Sequence, residues 1–184
     1  GVYQGLDPWR ITQADSAGSL DLPPVVFQGS TNVFPSGTVL DRTFNPIGIY
    51  VINAVGIRLR NLTVSNTVNT ALIITNSYNV AVEQIAVGAG NVAFHLLEVG
   101  QMRVANSQVT SCNKAILAAN TIEPVIENNL FWAIDGSAIH VASGRETQYR
   151  ATVRNNILSV TAGHYVYEVS EADSLATDYN AIWL

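Results

Sequence analysis

Apolar and polar residues alternate along much of the chain, and the stretch IRLRNLTVSN at 57–66 shows the pattern clearly. Alternation with a period of two is typical of a β-strand that buries one of its faces. At Asn61 this alternation places an amide where an inward side chain is expected. A sustained 3.6-residue period is absent, and β-branched residues and asparagine are frequent, which argues against long helices. The pattern predicts an all-β chain of short strands.

The polar position at Asn61 returns about every 22 residues. The corresponding residues are Asn61, Gln84, Asn106, Asn128, Asn155 and Asp178, with steps of 23, 22, 22, 27 and 23 residues. Apolar residues keep a fixed spacing from this column. One such column lies two residues earlier, and another lies 12 residues earlier at Ile49, Leu72, Phe94, Ile116 and Val166. The segment ASGRETQYR at 142–150 inserts about four residues, which accounts for the long step.

A unit of this length cannot bury its own apolar face, so consecutive units must stack. In a right-handed parallel β-helix each strand pairs with its counterpart one coil later, roughly 4.8 Å away. We interpret the polar column as a ladder of inward amides that hydrogen bond to one another, which removes the cost of burying them. Asp178 is expected to end the ladder, because a carboxylate cannot donate.

The expected organisation is a single β-helix domain over residues 1–184. Residues 48–184 form six regular coils, and residues 1–47 form an irregular amino-terminal coil and cap, because Gly, Pro and Ser interrupt the repeat there. Val26 lies 23 residues before Ile49 and is assigned to one earlier rung. The chain begins with Gly1, as expected of a processed product or of a piece of a longer chain.

Composition and charge narrow the range of partners. The chain is 48% hydrophobic and 12% charged, as in a folded protein. Its net charge is −5, and one lysine and eight arginines are spread along it, which argues against a nucleic-acid surface. No apolar run is long enough to predict a membrane span. Cys112 is the single cysteine, which excludes an intramolecular disulfide and a cysteine metal cluster.

The columns, the 22-residue period, the entry segment ITQADSAGSLDLPPVVFQG at 11–29 and the final DYNAIW at 178–183 resemble the pectin-lyase-like superfamily. The resemblance covers essentially the whole chain and implies a right-handed parallel β-helix, located outside the cell or at its surface. The superfamily includes pectate and alginate lyases, polygalacturonases, epimerases, phage tailspikes and non-catalytic surface modules. The resemblance therefore leaves the function open.

The sequence lacks the residues that two activities of this superfamily require, namely glycoside hydrolysis and epimerisation. Glycosidases need close aspartate pairs on one outward face, but the carboxylates are scattered and Asp135 is isolated. The epimerase motif Asp-Pro-His is absent, since the only Asp-Pro, at Asp7 and Pro8, is followed by Trp9. Both absences argue against a hydrolase or an epimerase of the known types.

A lyase needs only a base and a group that neutralises the uronate carboxylate. The candidate surface is an outward column made of Tyr50, Ile73, His95, Leu117, His140 and Tyr167. His95 and His140 lie two rungs apart, roughly 10 Å, and Lys114 begins the rung between them. These three residues are the catalytic candidates if the chain is an enzyme, and Tyr50 and Tyr167 are candidates for sugar stacking. The apolar members favour instead a face covered by protein.

The arginines have a structural and a functional interpretation. Arg60 beside Glu83, and Glu127 beside Arg154, are expected to form cross-strand ion pairs. The other two, Arg145 and Arg150, lie in the inserted segment and are candidate substrate-binding residues, because solenoids place binding residues in insertions. An ordinary solvated loop is the alternative for that segment.

No cofactor is expected, although one weak calcium candidate exists. It comprises Glu168, Glu171 and Asp173, for which a solvated acidic turn is the preferred interpretation.

Two functions remain. The favoured one is a non-catalytic module of a secreted or surface protein that presents a rigid face to carbohydrate or to neighbouring domains of a longer chain. The alternative is a polysaccharide lyase or related carbohydrate-active enzyme acting on acidic polysaccharide. A groove over the outward column with converging basic groups would favour the enzyme, and a flat or covered face would favour the module. The open last coil also allows end-to-end self-association.

Overall fold

The computed structural model describes residues 2–4, 7–30, 38–43, 45–142, 150–170 and 173–184. Its strands are β1 (Val2–Gln4), β2 (Trp9–Ile11), β3 (Val25–Gln28), β4 (Thr38–Asp41), β5 (Ile47–Ile52), β6 (Val55–Ser65), β7 (Thr70–Ala105), β8 (Gln108–Ala119), β9 (Val125–Glu127), β10 (Leu130–Ile134), β11 (Ile139–Ala142), β12 (Arg150–Arg154), β13 (Ile157–Val160), β14 (Tyr167–Val169), β15 (Ser174–Asp178) and β16 (Ala181–Trp183). A short 3₁₀ helix spans Gln13–Asp15. None of the helices in the described ranges is long and apolar enough to cross a membrane.

The strands form a parallel β-helix, as predicted. Each strand pairs in parallel with the strand one coil later, for example Leu59 with Val82 and Ile116 with Ile139. Three sheets result, and the long strand β7 contributes to each of them. The first sheet contains β2, β5, the end of β8, β11 and β14. The second contains β3, the start of β6, β9, β12 and β15. The third contains β1, β4, the end of β6, the start of β8, β10, β13 and β16.

Inward residues stack into columns that fill the interior. The column of the second sheet consists of Leu59, Val82, Val104, Ile126 and Val153, and each of them is fully buried. Ile49, Leu72, Phe94, Ile116 and Ile139 form the corresponding column of the first sheet and are also fully buried. Stacking of like apolar side chains on successive coils buries surface that no single coil could bury alone.

The polar column marks the bend between the second and third sheets, but it is not the amide ladder. Its asparagine and glutamine members are Asn61, Gln84, Asn106, Asn128 and Asn155. All five have φ between 53° and 57°, in the left-handed region. Asparagine is tolerated there better than most residues. The side chains of all but Asn61 are exposed. The prediction of an inward stack is therefore wrong for Gln84, Asn106, Asn128 and Asn155, whereas Asn61 is buried. The column recurs because the backbone bends at it.

The ladder lies one residue later, at Ser107, Asn129, Asn156 and Asn180. The backbone N–H of Ser107 donates to Asn129 Oδ1 (2.9 Å), and Asn129 Nδ2 donates to Asn156 Oδ1 (3.0 Å). Asn156 Nδ2 in turn donates to Asn180 Oδ1 (3.0 Å). Asp178 is exposed and belongs to neither column, because Tyr179 occupies the left-handed position of the last bend, with φ of 52°.

The amino-terminal part contains a complete earlier coil made of β2, β3 and β4. Trp9 pairs with Ile49, and Val26 pairs with Arg58, so the predicted equivalence of Val26 and Ile49 is wrong. The long connection between β2 and β3 makes this coil longer than the others, and the 23-residue spacing does not reflect structural equivalence. The rings of Trp9 and Phe27 meet edge to face, with centroids 5.7 Å apart.

Candidate functional site

Lys114 lies at the centre of a polar cluster on the outward side of the first sheet. Its ammonium group contacts Ser137 Oγ at 3.0 Å, His140 Nδ1 at 2.9 Å and Glu168 Oε2 at 2.9 Å. Ser137 Oγ also donates to the same oxygen of Glu168 at 2.9 Å. The four residues belong to three successive coils, so the lysine side chain spans the middle coil. We call this group the Lys114 cluster.

The cluster favours the neutral form of its histidine and the ionised form of its carboxylate. Burial lowers the pKa of His140, Lys114 lowers it further, and Glu168 partly opposes them. The hydrogen bond from Lys114 is the main reason why the pKa of Glu168 is lowered. An ammonium group has three N–H donors, and here the three acceptors within reach are all protein groups. When Lys114 donates to Nδ1, neutral His140 carries its proton on Nε2.

The lowered histidine pKa values predict a stability that falls in mild acid. Burial lowers the pKa of His95 as well, so the unfolded chain binds more protons than the folded chain once the pH drops below 6.5, the value of an unperturbed histidine. We expect the urea midpoint to fall between pH 7.5 and pH 5.5, and the fall to be smaller in His140→Gln. The interval stays above about pH 5, where carboxylates of lowered pKa remain ionised. An unchanged midpoint would contradict the assignment.

The structure brings only two of the predicted catalytic residues into contact. Lys114 and His140 meet directly, whereas His95 lies in register with Leu117, which in turn lies in register with His140. His95 and His140 are thus two strand spacings apart, as predicted from the repeat.

The two tyrosines predicted to stack on a sugar, Tyr50 and Tyr167, lie in different surroundings. Tyr50 is half-buried on the first sheet, with the guanidinium carbon of Arg10 at 5.7 Å from its ring centroid. Tyr167 pairs with Ile139 and packs against the core, so its predicted place beside His140 is wrong. Glu168 occupies that place instead.

A groove of about 740 Å³ follows the bend between the first and second sheets. Its polar lining comprises Gln13, Asn53, Asn76, Ser77, Tyr78, Glu98 and Asn120. Asn76 Nδ2 donates to Asn53 Oδ1 at 2.8 Å, so the amides of these two successive coils bond to each other in the groove. We call it the amide groove. None of the described residues that line it is a lysine, arginine or histidine.

The ring of Tyr78 forms part of this groove because a glycine lies beneath it. A Cβ atom at Gly100 would come within 2.3 Å of the Tyr78 ring, so the close approach requires glycine. The groove was missed from the sequence, although Asn53, Asn76, Glu98 and Asn120 recur at steps of 23, 22 and 22 residues. That column was the available signal.

The outward side of the second sheet carries the predicted ion pairs in a larger network. Arg60 Nη2 lies 3.4 Å from Glu83 Oε2, and Arg154 Nη2 lies 2.7 Å from Glu127 Oε2, as expected. Arg103 joins the two pairs, since it contacts Glu83 and lies 2.7 Å from Glu127 Oε1. Burial raises the pKa of Glu127, but hydrogen bonds from its two arginines outweigh burial and lower it.

The remaining candidates lie away from the Lys114 cluster. Arg150 is exposed at the start of β12, on the second sheet, and Arg145 lies outside the described residues. Glu171 of the weak calcium candidate also lies outside them. Within the ranges that the structure describes, no group of three or more His, Cys, Asp or Glu side chains is placed to hold a metal ion.

Comparison with known proteins gives the family. Residues 27–180 match the family described as "Right handed beta helix region". A search of curated proteins finds no match. The fold is similar to the periplasmic alginate epimerase AlgG, with 11% identity, a TM-score of 0.64, and coverage of 80% of this chain and 47% of that one. It is also similar to an alginate lyase from Paenibacillus sp. str. FPU-7, with 12% identity, a TM-score of 0.57, and coverage of 99% and 87%.

The two structural likenesses concern the fold alone at this level of identity. This chain spans about half the length of the epimerase and most of the length of the lyase. The family match extends over most of the sequence, includes most strands of each of the three sheets, and agrees with the parallel coils described above. The chain therefore belongs to the right-handed β-helix family.

Proposed function

We propose that the chain is a non-catalytic carbohydrate-binding module of an extracellular or surface protein, and that the sugar lies in the amide groove. The observation that carries this proposal is the separation of the groove from the ammonium group of Lys114. The concave surface is lined by amides, a carboxylate and a tyrosine, while Lys114 lies six residues before Asn120 and its side chain extends across the coils to Glu168.

The separation can be measured along one strand. Lys114 lies near the middle of β8 and Asn120 directly follows the strand. Six residues of extended chain correspond to roughly 20 Å. A sugar ring in the groove is therefore too far from Lys114 for the lysine to act on it. Lys114 and His140 provide the converging basic groups that an enzyme needs, but neither residue lines the amide groove.

The chemistry of the groove suits a saccharide. Side-chain amides both donate and accept hydrogen bonds, as sugar hydroxyls require. Tyr78 adds an aromatic ring with a polar tip, a combination that serves binding surfaces with one apolar and one wet side. Concave surfaces with a few convergent polar groups are the usual sites for small ligands. The carboxylate of Glu98 favours a neutral sugar over a uronate, because like charges repel.

The structural comparisons support a polysaccharide ligand and an extracellular location as proposals, but not the choice of a neutral sugar, because alginate is a polyuronate. Both similar structures are named for alginate, which is a polysaccharide, and one is named as periplasmic. A β-helix that meets such polymers is expected outside the cytoplasm.

A lyase remains the second candidate, and the contact between Lys114 Nζ and His140 Nδ1 favours it. A neutral histidine beside an ammonium group resembles a base beside a carboxylate-binding cation. Against this, the acceptors of the ammonium group are protein atoms, and His140 Nδ1 is engaged by Lys114. The cluster would have to open before either residue could serve a substrate.

Binding and cleavage can be tested on the same panel of neutral and acidic oligosaccharides. We expect the chain to bind a neutral oligosaccharide without releasing any unsaturated product, measured by absorbance. Replacing Asn76 by glycine together with Tyr78 by alanine removes an amide and a ring from the groove. This double variant is expected to bind roughly thirtyfold more weakly, since one hydrogen bond and one ring contact are worth about 1 kcal/mol each.

Asn128→Gly is the matched control for this experiment. Asn76 and Asn128 are both exposed asparagines in the left-handed region, where glycine fits without strain, but Asn128 lies outside the groove. Its replacement should leave binding unchanged. Release of unsaturated product by the wild type, abolished in His140→Ala, would replace the module by the lyase. Equal binding by the wild type and the groove variant would show that the sugar does not lie in the groove.

A further inference from the structure

The outward side of the second sheet is an array of arginines supported by buried carboxylates. The arginines are Arg58, Arg60, Arg103, Arg150 and Arg154, and the carboxylates beneath them are Glu83 and Glu127. We call this surface the arginine face. It lies on a different sheet from the Lys114 cluster and outside the amide groove.

Exposure on this face is unequal. The side chains of Glu83 and Glu127 are 12% and 9% exposed, whereas those of the four arginines that contact them are 34% to 52% exposed. A ladder that only neutralised charge would present both signs to solvent alike. Here the carboxylates lie below and hold the guanidinium groups, and an approaching molecule meets mainly guanidinium edges.

The two carboxylates cannot saturate the arginines. Five arginines against two glutamates leave three positive charges in excess, and Asp178, which pairs in register with Arg154, lowers the excess to two. This excess is opposite in sign to the net charge of −5 of the whole chain. Each guanidinium offers five N–H donors and a carboxylate about four acceptor sites, so many donors remain for a ligand.

The arginines follow the axis of the β-helix. Arg60 pairs in register with Glu83, and Glu127 with Arg154, so the face runs from one coil to the next. Four coil steps separate Arg60 from Arg154, which corresponds to roughly 19 Å at the strand spacing. Arg103 lies between them and contacts both carboxylates. The excess charge is therefore spread along a line and not gathered at a point.

We propose that the arginine face binds a linear uronate-containing polysaccharide, laid along the axis with its carboxylates on the guanidinium groups. Arginine binds planar carboxylates with two parallel hydrogen bonds, and carboxylates already hold these side chains in place. A regular polyanion matches a regular row of cations. Single-stranded nucleic acid fits less well, because the outward positions on the described part of this sheet carry no aromatic ring on which bases could stack.

This site does not depend on the proposed function of the amide groove. The groove is proposed for a neutral sugar, and the arginine face for an acidic chain. Either site can bind while the other does not, and separate variants distinguish them.

Binding to immobilised polygalacturonate at two salt concentrations tests the proposal, with dextran as the neutral polymer. We expect retention on polygalacturonate that weakens as salt is raised, whereas any retention on dextran through the amide groove should be insensitive to salt. Arg58→Gln with Arg150→Gln is expected to weaken binding roughly tenfold, since each exposed pair is worth about 0.2 to 1 kcal/mol. The variant should fold, because Arg58 Nε lies 4.0 Å from Glu83, which keeps its closer partners Arg60 and Arg103.

Val68→Glu with Trp132→Glu is the charge-matched control. It also lowers the net charge by two, at side chains that are 63% and 48% exposed; Trp132 lies on the third sheet and Val68 between β6 and β7, away from the arginine face. It should retain the affinity of the wild type within about twofold. Unchanged binding by the arginine variant, or an equal loss in the control, would overturn the proposal. Equal retention on single-stranded DNA of matched charge would also overturn the assignment to uronate chains.

The groove variant Asn76→Gly with Tyr78→Ala separates the two sites. It should bind polygalacturonate like the wild type if the arginine face is the site. If the groove variant loses the acidic polymer and the arginine variant keeps it, the polymer binds at the groove and the present proposal fails.

Discussion

Asn129→Ala is expected to lower the free energy of unfolding by about 3 kcal/mol, because it leaves buried partners unsatisfied. Asn129 is 2% exposed, accepts the backbone N–H of Ser107, and donates to the carbonyl of Val104 at 3.1 Å. Alanine removes both contacts and the bond to Asn156, while water cannot enter to replace them. Urea unfolding at pH 7, followed by circular dichroism, measures the loss.

The neighbouring residue provides the control. Asn128 is exposed, with φ of 57°, so Asn128→Gly should change stability by no more than about 0.5 kcal/mol. Asn129→Ser should be intermediate, because Ser107 occupies the equivalent position one coil earlier and accepts the N–H of Ile85 at 3.1 Å. A loss in Asn128→Gly as large as that in Asn129→Ala would restore the ladder position inferred from the sequence.

Gly48→Ala is expected to be about as damaging, for a steric reason. A Cβ at residue 48 would lie 2.5 Å from the carbonyl oxygen of Ala71 and 2.6 Å from Val64 Cγ1. One obstacle is the backbone of the next coil, so relief requires the coils to separate locally. Overpacking of this kind costs about 1–3 kcal/mol or more. Thermal and urea unfolding should both show the loss.

Gly88→Ala is the matched strand position with open space. Its nearest neighbour would be Thr110 Oγ1 at 3.8 Å, an ordinary contact. Alanine there should stabilise the chain by up to roughly 0.5–1 kcal/mol, because glycine loses more conformational freedom on folding. Equal effects of the two substitutions would mean that the close approach at Gly48 is absent in solution.

The fold could be predicted from the sequence because apolar and polar positions recur about every 22 residues. This recurrence is still recognisable when one coil is aligned wrongly by a single residue. The position of the ladder could not be predicted in the same way, because two asparagines are adjacent at 128–129 and again at 155–156. One of each pair bends the backbone and the other turns inward, and only the backbone conformation tells them apart. In the coil of Asn61 the next residue is Leu62, so the bend column, and not the ladder, continues through the early coils.

The same one-residue error accounts for the missed member of the Lys114 cluster. Counting back from Asp178 places Tyr167 beside His140, whereas counting back from Tyr179, the true bend residue, places Glu168 there. Lys114 was placed because a regular coil separates it from Asn128, and His140 because the insertion at 142–150 was counted before Asn155. The amide groove could not be predicted from the strand register alone. Its concave shape depends on how far the bends project from the coils, and a recurring residue type does not show this.

The Lys114 cluster also bears on how the chain finds its correct order of coils. Apolar columns are nearly interchangeable from coil to coil, so they would tolerate a strand docking one whole repeat out of place. Such slippage would carry the only lysine of the chain past Ser137, His140 and Glu168 and leave four polar groups without their partners. The cluster thus makes the correct stacking order of three particular coils more stable than an order shifted by one repeat. It specifies the register of a solenoid whose apolar columns alone would not.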